Sequence, residues 1–267
     1  MDSFDGSAFA VGLAACAGGL LVLLAATFAL ALKLGKHSVV DVAWGLGFVT
    51  VAGVTAAVAA GSGDDTRQWL LTVMVFAWGG RLAWHIGRRN AGHGEDPRYE
   101  ALLGKVPPEK RNAYALRMVY GLQGALILFI SLPVQVAAYA NDEVGVLALL
   151  GVGVWALGLF FEAVGDWQLK QFKADPANKG TVMDRGLWRY TRHPNYFGDA
   201  CVWWGIFLVA AETGIGVFTV LSPIVMTLFL TKGSGAALTE RRMADRPGFS
   251  EYVARTSGFL PLPPKRS

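Results

Sequence analysis

Long apolar runs, bunched rather than alternating with polar residues, constrain this sequence of 267 residues more than any other feature. Five of the runs are each about long enough to cross a hydrocarbon core of ~30 Å as a helix, and two shorter runs follow as a tight helical hairpin. The seven runs occupy residues 8–32, 39–60, 69–86, 117–140, 144–165, 196–211 and 214–231. We therefore predict an all-α integral membrane protein with about seven transmembrane helices.

The composition supports a membrane protein. Hydrophobic residues make up 53% of the chain and charged residues only 16%, whereas a soluble domain usually carries about 25% charged residues. The sequence shows no sustained internal repeat and no flexible linker, so residues 1–267 are predicted to form a single transmembrane domain. Cys16 and Cys201 both lie in predicted helices, far apart in sequence, and they indicate neither a disulfide framework nor a cysteine metal site. No metal site is predicted.

The distribution of Lys and Arg predicts the orientation. Of the 24 cationic residues, only Arg67 falls on the side of the amino terminus and the even-numbered loops. The others lie at Lys33–Lys36, around 87–116 and 166–199, and in the tail from Lys232. Under the positive-inside rule the amino terminus is outside and the carboxyl terminus is cytoplasmic. This topology explains the modest excess of positively charged over negatively charged residues. Nucleic acid is therefore not predicted as a partner.

Asp41 lies about one turn inside the second predicted helix. A charged residue at membrane depth is costly and usually faces the bundle interior, so an acid at this place is a functional candidate. The other interpretation is an acid near the interface that pairs with Lys33 or Lys36. The sequence leaves both interpretations open.

The cytoplasmic end of the third predicted helix carries a polar face. Arg81, His85 and Arg88 follow one another at i, i+4 and i+7, with Trp84 beside them, so the three polar side chains share one side of the helix. Arginines at this place either line a polar pocket or extend to lipid headgroups. The turn-rich loop "GEDPRY" follows and adds Arg98, which belongs either to the same pocket or to a solvated loop.

The fifth predicted helix continues beyond its apolar run as "FFEAVGDWQLKQFKAD". Glu162, Asp166, Lys170 and Lys173 recur at i, i+4, i+8 and i+11 along this segment. Such a stripe forms salt bridges on an exposed helix. If it faces the bundle instead, it offers acids for hydroxyl groups and bases for phosphates.

The segment "GLWRYTRHPNYFGD" directly precedes the sixth apolar run. Asn195 and Asp199 share one side of the helix that begins here. Arg192 and His193 stand beside its amino terminus, a place that suits an anionic group. Tyr190 is one of several aromatic residues on which a ring can stack. The segment therefore predicts a pocket for a ligand with phosphate and aromatic parts.

Three segments resemble the steroid 5-alpha-reductase-like membrane enzymes, and in particular a bacterial branch known only as a domain of unknown function. The segments are "GDWQLKQFK" (165–173), "GLWRYTRHPNYFGD" (186–199) and "ERRMADRPGFSEYVARTSGFLPLPP" (240–264), and the likeness is strongest over 150–264. The resemblance implies seven membrane helices and NADPH bound in the cytoplasmic half of the bundle without a Rossmann domain. It also implies hydride transfer to the β-carbon of a lipid enone, in a bacterial plasma membrane with the active site facing the cytoplasm.

The resemblance also implies roles for individual residues. Carried over by position, the cofactor contacts of that family fall on Asp166, Lys173, Tyr190, Asn195 and Asp199. Arg88 and Arg98 also correspond to cofactor contacts, but by a looser match. The steroid reductases polarise the substrate carbonyl with a Glu on the second helix and a later Tyr. Here Asp41 is the nearest acid, and Trp84 and His85 stand at roughly the Tyr position. We therefore predict Asp41 and His85 as catalytic residues, with His85 stabilising the enolate; a steroid substrate is not supported.

Two other classes of protein remain as alternatives. The "RHPNY" segment (192–196) also occurs in isoprenylcysteine carboxyl methyltransferase-like enzymes, which use S-adenosylmethionine. That cofactor has no phosphates, and the bases Lys170 and Lys173 would then lack a ligand. A non-catalytic membrane protein such as a transporter would cluster its polar residues near the midplane, whereas here they lie at one face. The favoured prediction is NADPH-dependent reduction of a conjugated double bond in a hydrophobic substrate, and no oligomeric state is predicted.

Overall fold

The computed structural model of the chain describes residues 4–233 and 235–265. Over these residues the chain is predominantly α-helical and no β-strand is present, in agreement with the predicted all-α class. The chain forms two compact units, which are described separately. They consist of the residues up to Gly145 together with Val209–Thr219, and of Val146–Leu208 together with the residues from Val220 onward.

The first unit is built on three long helices and several shorter ones. The Asp5 carboxylate caps the first helix by accepting hydrogen bonds from the N–H groups of Ser7 and Ala8. This helix ends at Gly35, whose φ of 66° lies in the left-handed region that favours glycine. The helices of this unit are α1 (Gly6–Leu34), α2 (Val40–Val58), α3 (Asp65–Asn90), α4 (Pro97–Leu103), α5 (Arg111–Ala115), α6 (Leu122–Ile130) and α7 (Leu132–Ala137).

Small residues let α2 and α3 pack closely. A Cβ atom added to Gly45 would stand 2.5 Å from the carbonyl oxygen of Gly79, so the two backbones approach as near as glycine allows. One turn away the rings of Phe48 and Trp78 meet edge to face, with centroids 5.3 Å apart, and both side chains are fully buried. This contact forms the core of the first unit.

The predicted run 117–140 is not one continuous helix. The chain is helical up to Ile130, and Ser131 then interrupts the helix before α7 begins. Pro133 lacks the backbone N–H that a continuous helix needs. The backbone N–H and the hydroxyl of Ser131 both donate to the carbonyl oxygen of Ile127, at 3.0 and 2.7 Å. The apolar run therefore contains a membrane-length helix followed by a separate short helix.

One end of the first unit is held together by Arg67, which is fully buried. Its guanidinium donates to the carbonyl oxygens of Val209, Asp142 and Glu143 at 2.7, 2.9 and 2.7 Å, and to the Glu212 carboxylate at 3.2 Å. The segments around these five residues therefore meet at one end of the unit.

The opposite end of the first unit gathers a second group of loops. The Lys36 ammonium donates to the His93 carbonyl oxygen at 2.9 Å. The Glu95 carboxylate accepts hydrogen bonds from the N–H groups of His37 and Ser38, just before α2. Consecutive long helices of the unit thus run in alternating directions between its two ends.

The second unit contains the segments that carry the predicted motifs. Its helices are α8 (Val146–Ala174), α9 (Pro194–Ala211, of which the residues from Val209 belong to the first unit), α10 (Leu221–Lys232), α11 (Ala236–Met243) and α12 (Phe249–Arg255). Glycines again set the closest helix crossing. A Cβ atom on Gly158 would stand 2.5 Å from the carbonyl oxygen of Gly198. A Cβ atom on Gly205 would likewise stand 2.5 Å from the carbonyl oxygen of Gly151.

Among the residues that the structure describes, five helical stretches are long and apolar enough to cross a membrane. They are Gly6–Leu34, His37–Val58, Pro108–Ile130, Val146–Ala174 and Ile215–Met243. The predicted runs 69–86 and 196–211 are also helical, as parts of α3 and α9, but neither helix is among the five, because polar residues occupy their ends. The apolar stretches indicate a lipid bilayer environment.

Candidate functional site

Three buried carboxylates lie on α8 and α9 in the second unit. The side chains belong to Glu162, Asp166 and Asp199, whose exposed fractions are only 3%, 9% and 7%. The crossing of the two helices brings them near one another, since a Cβ atom on Gly198 would meet the Cβ atom of Glu162 at 3.0 Å. Acids buried between apolar helices are costly and are retained where they have a function.

Asn195 joins this group from the first turn of α9. Its side-chain N–H donates to the Asp166 carboxylate at 3.3 Å, and its amide oxygen accepts from the Tyr196 N–H at 3.1 Å. Pro194 packs against α8, because a Cβ atom on Gly165 would stand 3.2 Å from the proline ring. The structure therefore brings together Asp166 and Asn195, two residues that the sequence assigned to cofactor binding.

Arg192 and His193 both bind one carboxylate oxygen of Glu240, on α11. The Arg192 Nε donates to it at 2.8 Å, and the His193 Nε2 lies 2.9 Å from it. The His193 ring, 4% exposed, stacks on Tyr196 with centroids 5.4 Å apart. Burial lowers the pKa of His193 below its ordinary value; Glu240 opposes this shift and Arg192 adds to it.

The carboxyl-terminal segment is hydrogen-bonded along the motif that precedes α9. The Tyr252 hydroxyl donates to the Trp188 carbonyl oxygen at 2.6 Å, and the Leu262 N–H donates to the Tyr190 carbonyl oxygen at 3.0 Å. Arg192 also donates to the Thr256 carbonyl oxygen at 2.7 Å. The backbone of the motif is thus a docking surface for the chain's own tail, and neither Glu240 nor this docking was predicted from the sequence.

A second polar group lies in the first unit and is centred on Asp41. One carboxylate oxygen of Asp41 accepts from the Arg98 guanidinium at 2.6 Å, and the other accepts from the Tyr99 hydroxyl at 2.6 Å. Arg98 also binds Asp96 at 3.0 Å through two nitrogens. The carboxylate is therefore bound by Arg98 and Tyr99 of "GEDPRY", whereas Lys36 binds the His93 carbonyl oxygen. This segment was predicted to be a loop, but α4 begins within it at Pro97, because a proline is tolerated in the first turn of a helix.

The electrostatics of this second group follow from burial and from the two acids. Burial disfavours the charged guanidinium of Arg98, but hydrogen bonding to Asp96 and the charges of Asp41 and Asp96 raise its pKa above the ordinary value. Burial, the charge of Asp41 and the hydrogen bond to it raise the pKa of Tyr99. Arg98 is therefore a permanent cation and Tyr99 a neutral hydrogen-bond donor.

The remaining predicted residues are more exposed. His85 is half-buried on α3. Arg88 is exposed and lies over the ring of Trp84, 5.3 Å from its centroid. Lys173 is exposed near the end of α8, and the Tyr190 side chain is 44% exposed.

The structure thus assigns the predicted residues to two groups. Asp166, Asn195 and Asp199 lie on α8 and α9, and Asp41 and Arg98 are joined in the other unit. Tyr99 was given no role from the sequence, although it stands in the quoted "GEDPRY" segment, because a single tyrosine in a polar segment gives no periodic signal. Over 4–233 and 235–265, no three residues among His, Cys, Asp and Glu are placed to hold a metal ion.

Comparison with known proteins gives one result. No curated protein and no solved structure matches the chain. A family model described as "Protein of unknown function (DUF1295)" matches residues 27–256, and thus covers both polar groups. The chain therefore belongs to the DUF1295 family.

Proposed function

We propose that the chain is a membrane-embedded oxidoreductase that transfers hydride from NADPH to a conjugated carbon–carbon double bond of a hydrophobic substrate. The observation that carries this proposal is the burial of Glu162, Asp166 and Asp199 between two apolar helices. Burial of an ionisable side chain between apolar helices costs free energy, and such residues usually belong to a functional site. The likeness of 165–173 and 186–199 to steroid 5-alpha-reductase-like enzymes supports the same assignment.

The residues along α8 fit a ligand that carries both sugar hydroxyls and phosphates. Asp166, Lys170 and Lys173 recur on one side of the helix, with the two lysines about 6 Å and about 10 Å beyond the aspartate along the axis. Carboxylates accept hydrogen bonds from ribose hydroxyls, and ammonium groups bind phosphate oxygens. Burial places the acids inside the helix pair, whereas the lysines remain exposed.

The amide of Asn195 suits the carboxamide of a nicotinamide ring, because it both donates and accepts hydrogen bonds. The bound cofactor would supply the hydride. The residues of the chain hold and orient it, and the apolar surfaces of α8 and α9 exclude water from the reacting carbon.

Reduction of an enone also needs a group that stabilises the enolate oxygen and delivers a proton. His85 remains our candidate for this donor, since it is half-buried on α3 and an imidazole can donate a proton to a developing oxyanion. Asp41 is bound by Arg98 and Tyr99, so we assign it to positioning the 95–99 loop rather than to proton transfer.

The contacts within the first unit support a cytoplasmic location for these groups. The segments around Asp5, Arg67 and Asp142, all predicted to be outside, lie at one end of the unit. Arg67, the exception to the positive-inside pattern, is fully buried among carbonyl oxygens and Glu212, so it is not a cation of the outer surface. The remaining cations then lie on the cytoplasmic side.

The proposal can be tested with the purified chain in lipid nanodiscs that contain a bacterial membrane lipid extract. Addition of NADPH should produce lipids heavier by two hydrogens, detected by mass spectrometry, at a rate that Asp166→Asn and Asp199→Asn each reduce at least tenfold. Asp184→Asn is the matched control, because Asp184 lies outside the helices and pairs with Arg255 at the surface. Equal rates in all three variants, or no reduced lipid with the wild type, would contradict the proposal.

A specific observation favours a second candidate function, transfer of a methyl group from S-adenosylmethionine. Arg98 and Arg192, two of the bases that the sequence assigned to phosphate binding, are bound by carboxylates of the chain itself. Acids that bind ribose hydroxyls would serve that cofactor equally well, and it has no phosphates. The two functions differ in the role of Lys170 and Lys173. Their replacement should weaken the binding of NADPH, which has phosphates, but not the binding of S-adenosylmethionine.

A further inference from the structure

Three exposed apolar side chains surround the point where the carboxyl-terminal segment meets the motif before α9. They belong to Tyr190, Leu260 and Leu262, which are 44%, 57% and 52% exposed, and we name them the tail patch. The Leu262 N–H donates to the Tyr190 carbonyl oxygen at 3.0 Å, and the Thr191 hydroxyl donates to the Phe259 carbonyl oxygen at 2.8 Å. The patch is therefore fixed to the fold.

Contacts within the second unit place the tail patch at the level where the apolar helices end. The Trp188 indole N–H donates to the carbonyl oxygen of Gly165 at 3.0 Å. Gly165 is the twentieth residue of α8, and about 20 helical residues cross the hydrocarbon core. On the other side of the motif, α9 begins at Pro194. Glu240, which binds Arg192, lies on α11, the helix that follows the Lys232 end of α10.

The chemistry of the tail patch matches the interface between hydrocarbon and headgroups. Tyrosine concentrates there because its ring is apolar and its hydroxyl is polar. Leucines with neighbouring cations are typical of segments that lie in the plane of that interface. Arg189 and Lys265, which adjoin the patch in sequence, are both exposed, and cations at this level are attracted to anionic lipids.

We propose that the tail patch is an interfacial anchor: Tyr190, Leu260 and Leu262 insert into the headgroup region of the membrane that the chain spans, and Arg189 and Lys265 bind phosphates of anionic lipids. The bilayer is the favoured occupant because the patch lies beside the point where α8 completes a membrane-length stretch and is flanked by exposed cations. The anchor is independent of the proposed reaction.

The test uses the full chain in nanodiscs with a nitroxide label at Leu260→Cys, in a background without Cys16 and Cys201. The control label is Ser250→Cys, on the exposed surface of α12. Collisions with oxygen, which concentrates in the bilayer, are compared with collisions with a water-soluble nickel chelate. Each label is measured in phosphatidylcholine alone and in its mixture with phosphatidylglycerol.

The proposal predicts an oxygen-to-nickel ratio several-fold higher at position 260 than at position 250, with a further increase in the anionic mixture that Lys265→Gln removes. A ratio at position 260 equal to that at position 250 would place the tail in water and overturn the proposal. Protection of position 260 from both reagents would show that protein, either a second copy or another partner, covers the patch, and would equally overturn it.

Discussion

At the scale of single residues, the chain satisfies most of its deep charges with its own side chains and carbonyl groups. Arg67 has four oxygen partners at one end of the first unit. Asp41 is held by Arg98 and Tyr99, and Glu240 is held by Arg192 and a histidine. The buried acids of α8 and α9 form a separate group, in which Asp166 accepts a hydrogen bond from Asn195. The exposed Lys170 and Lys173 lie further along α8.

The Asp41 group should contribute strongly to stability. We expect Asp41→Asn to lower the free energy of unfolding by about 1–3 kcal/mol, because two hydrogen bonds from Arg98 and Tyr99 to a charged group are weakened. The measurement is thermal unfolding in detergent. The control is Asp184→Asn, whose partner Arg255 is largely exposed and whose loss should cost no more than about 1 kcal/mol. Equal effects of the two changes would contradict the structural role given to Asp41.

Stability should depend on pH through His193. Its pKa is lower in the folded chain than the ordinary value of 6.5, so between these two values the unfolded chain binds more protons. The contribution of His193 to stability is therefore complete above about pH 6.5 and is lost as the pH falls through the pKa of the folded state. As the pH falls below about 6.5, the free energy of unfolding, measured by thermal unfolding, should decrease more steeply in the wild type than in His193→Gln. Equal slopes in the wild type and in His193→Gln would contradict this role of His193.

At the scale of helices, glycine contacts decide how α8 and α9 pack. We expect Gly158→Ala to destabilise the chain by about 1–3 kcal/mol, because its Cβ atom would meet the Gly198 carbonyl oxygen at 2.5 Å. Gly153 lies on the same helix with no atom within 4 Å of such a Cβ, so Gly153→Ala should be tolerated. The two variants are compared by thermal unfolding in one detergent. If Gly158→Ala is as stable as Gly153→Ala, the close crossing does not exist.

Apolar length predicted the helices well, but it could not predict where a helix is interrupted or which helices count as spans. The run 117–140 is divided at Ser131, next to Pro133, because one missing N–H hardly changes hydropathy. α9 is not among the five spans, because the polar residues of its first turns lower its mean hydropathy. Asn195 and Asp199 reduce its apolar length, and they are also the residues that bring it into the candidate site.

At the scale of the whole molecule, charge distribution predicts the topology. We expect Asn141→Cys to react with a membrane-impermeant maleimide in intact cells, and Thr181→Cys to react only after permeabilisation, in a background without Cys16 and Cys201. Both positions are exposed, and they lie on the predicted outer and inner sides. The reverse pattern of labelling would contradict the predicted orientation. Labelling of both cysteines in intact cells would show that the two positions lie on the same side of the membrane, and would contradict the single crossing predicted between them.

The candidate site was predictable only where its residues follow helical periodicity. The spacing of Glu162, Asp166 and Lys173 on one helix could be recognised from the sequence, and the structure buries the two acids. The partners of Arg98 and Arg192 could not be recognised, because ion pairs such as Arg192–Glu240 join residues far apart in sequence and depend on the tertiary fold. Sequence reasoning therefore assigned to phosphates two arginines that bind carboxylates of the chain.

The central claim is that the acids of α8 and α9 bind NADPH, and calorimetric titration of the detergent-purified chain tests it most directly. NADPH, NADH and S-adenosylmethionine are each titrated into the wild type, Asp166→Asn, Asp199→Asn and the surface control Asp184→Asn. We predict that the wild type and the control bind NADPH alike and that each site variant binds it at least tenfold more weakly. Binding of S-adenosylmethionine alone, or of none of the three ligands, would contradict the reductase assignment.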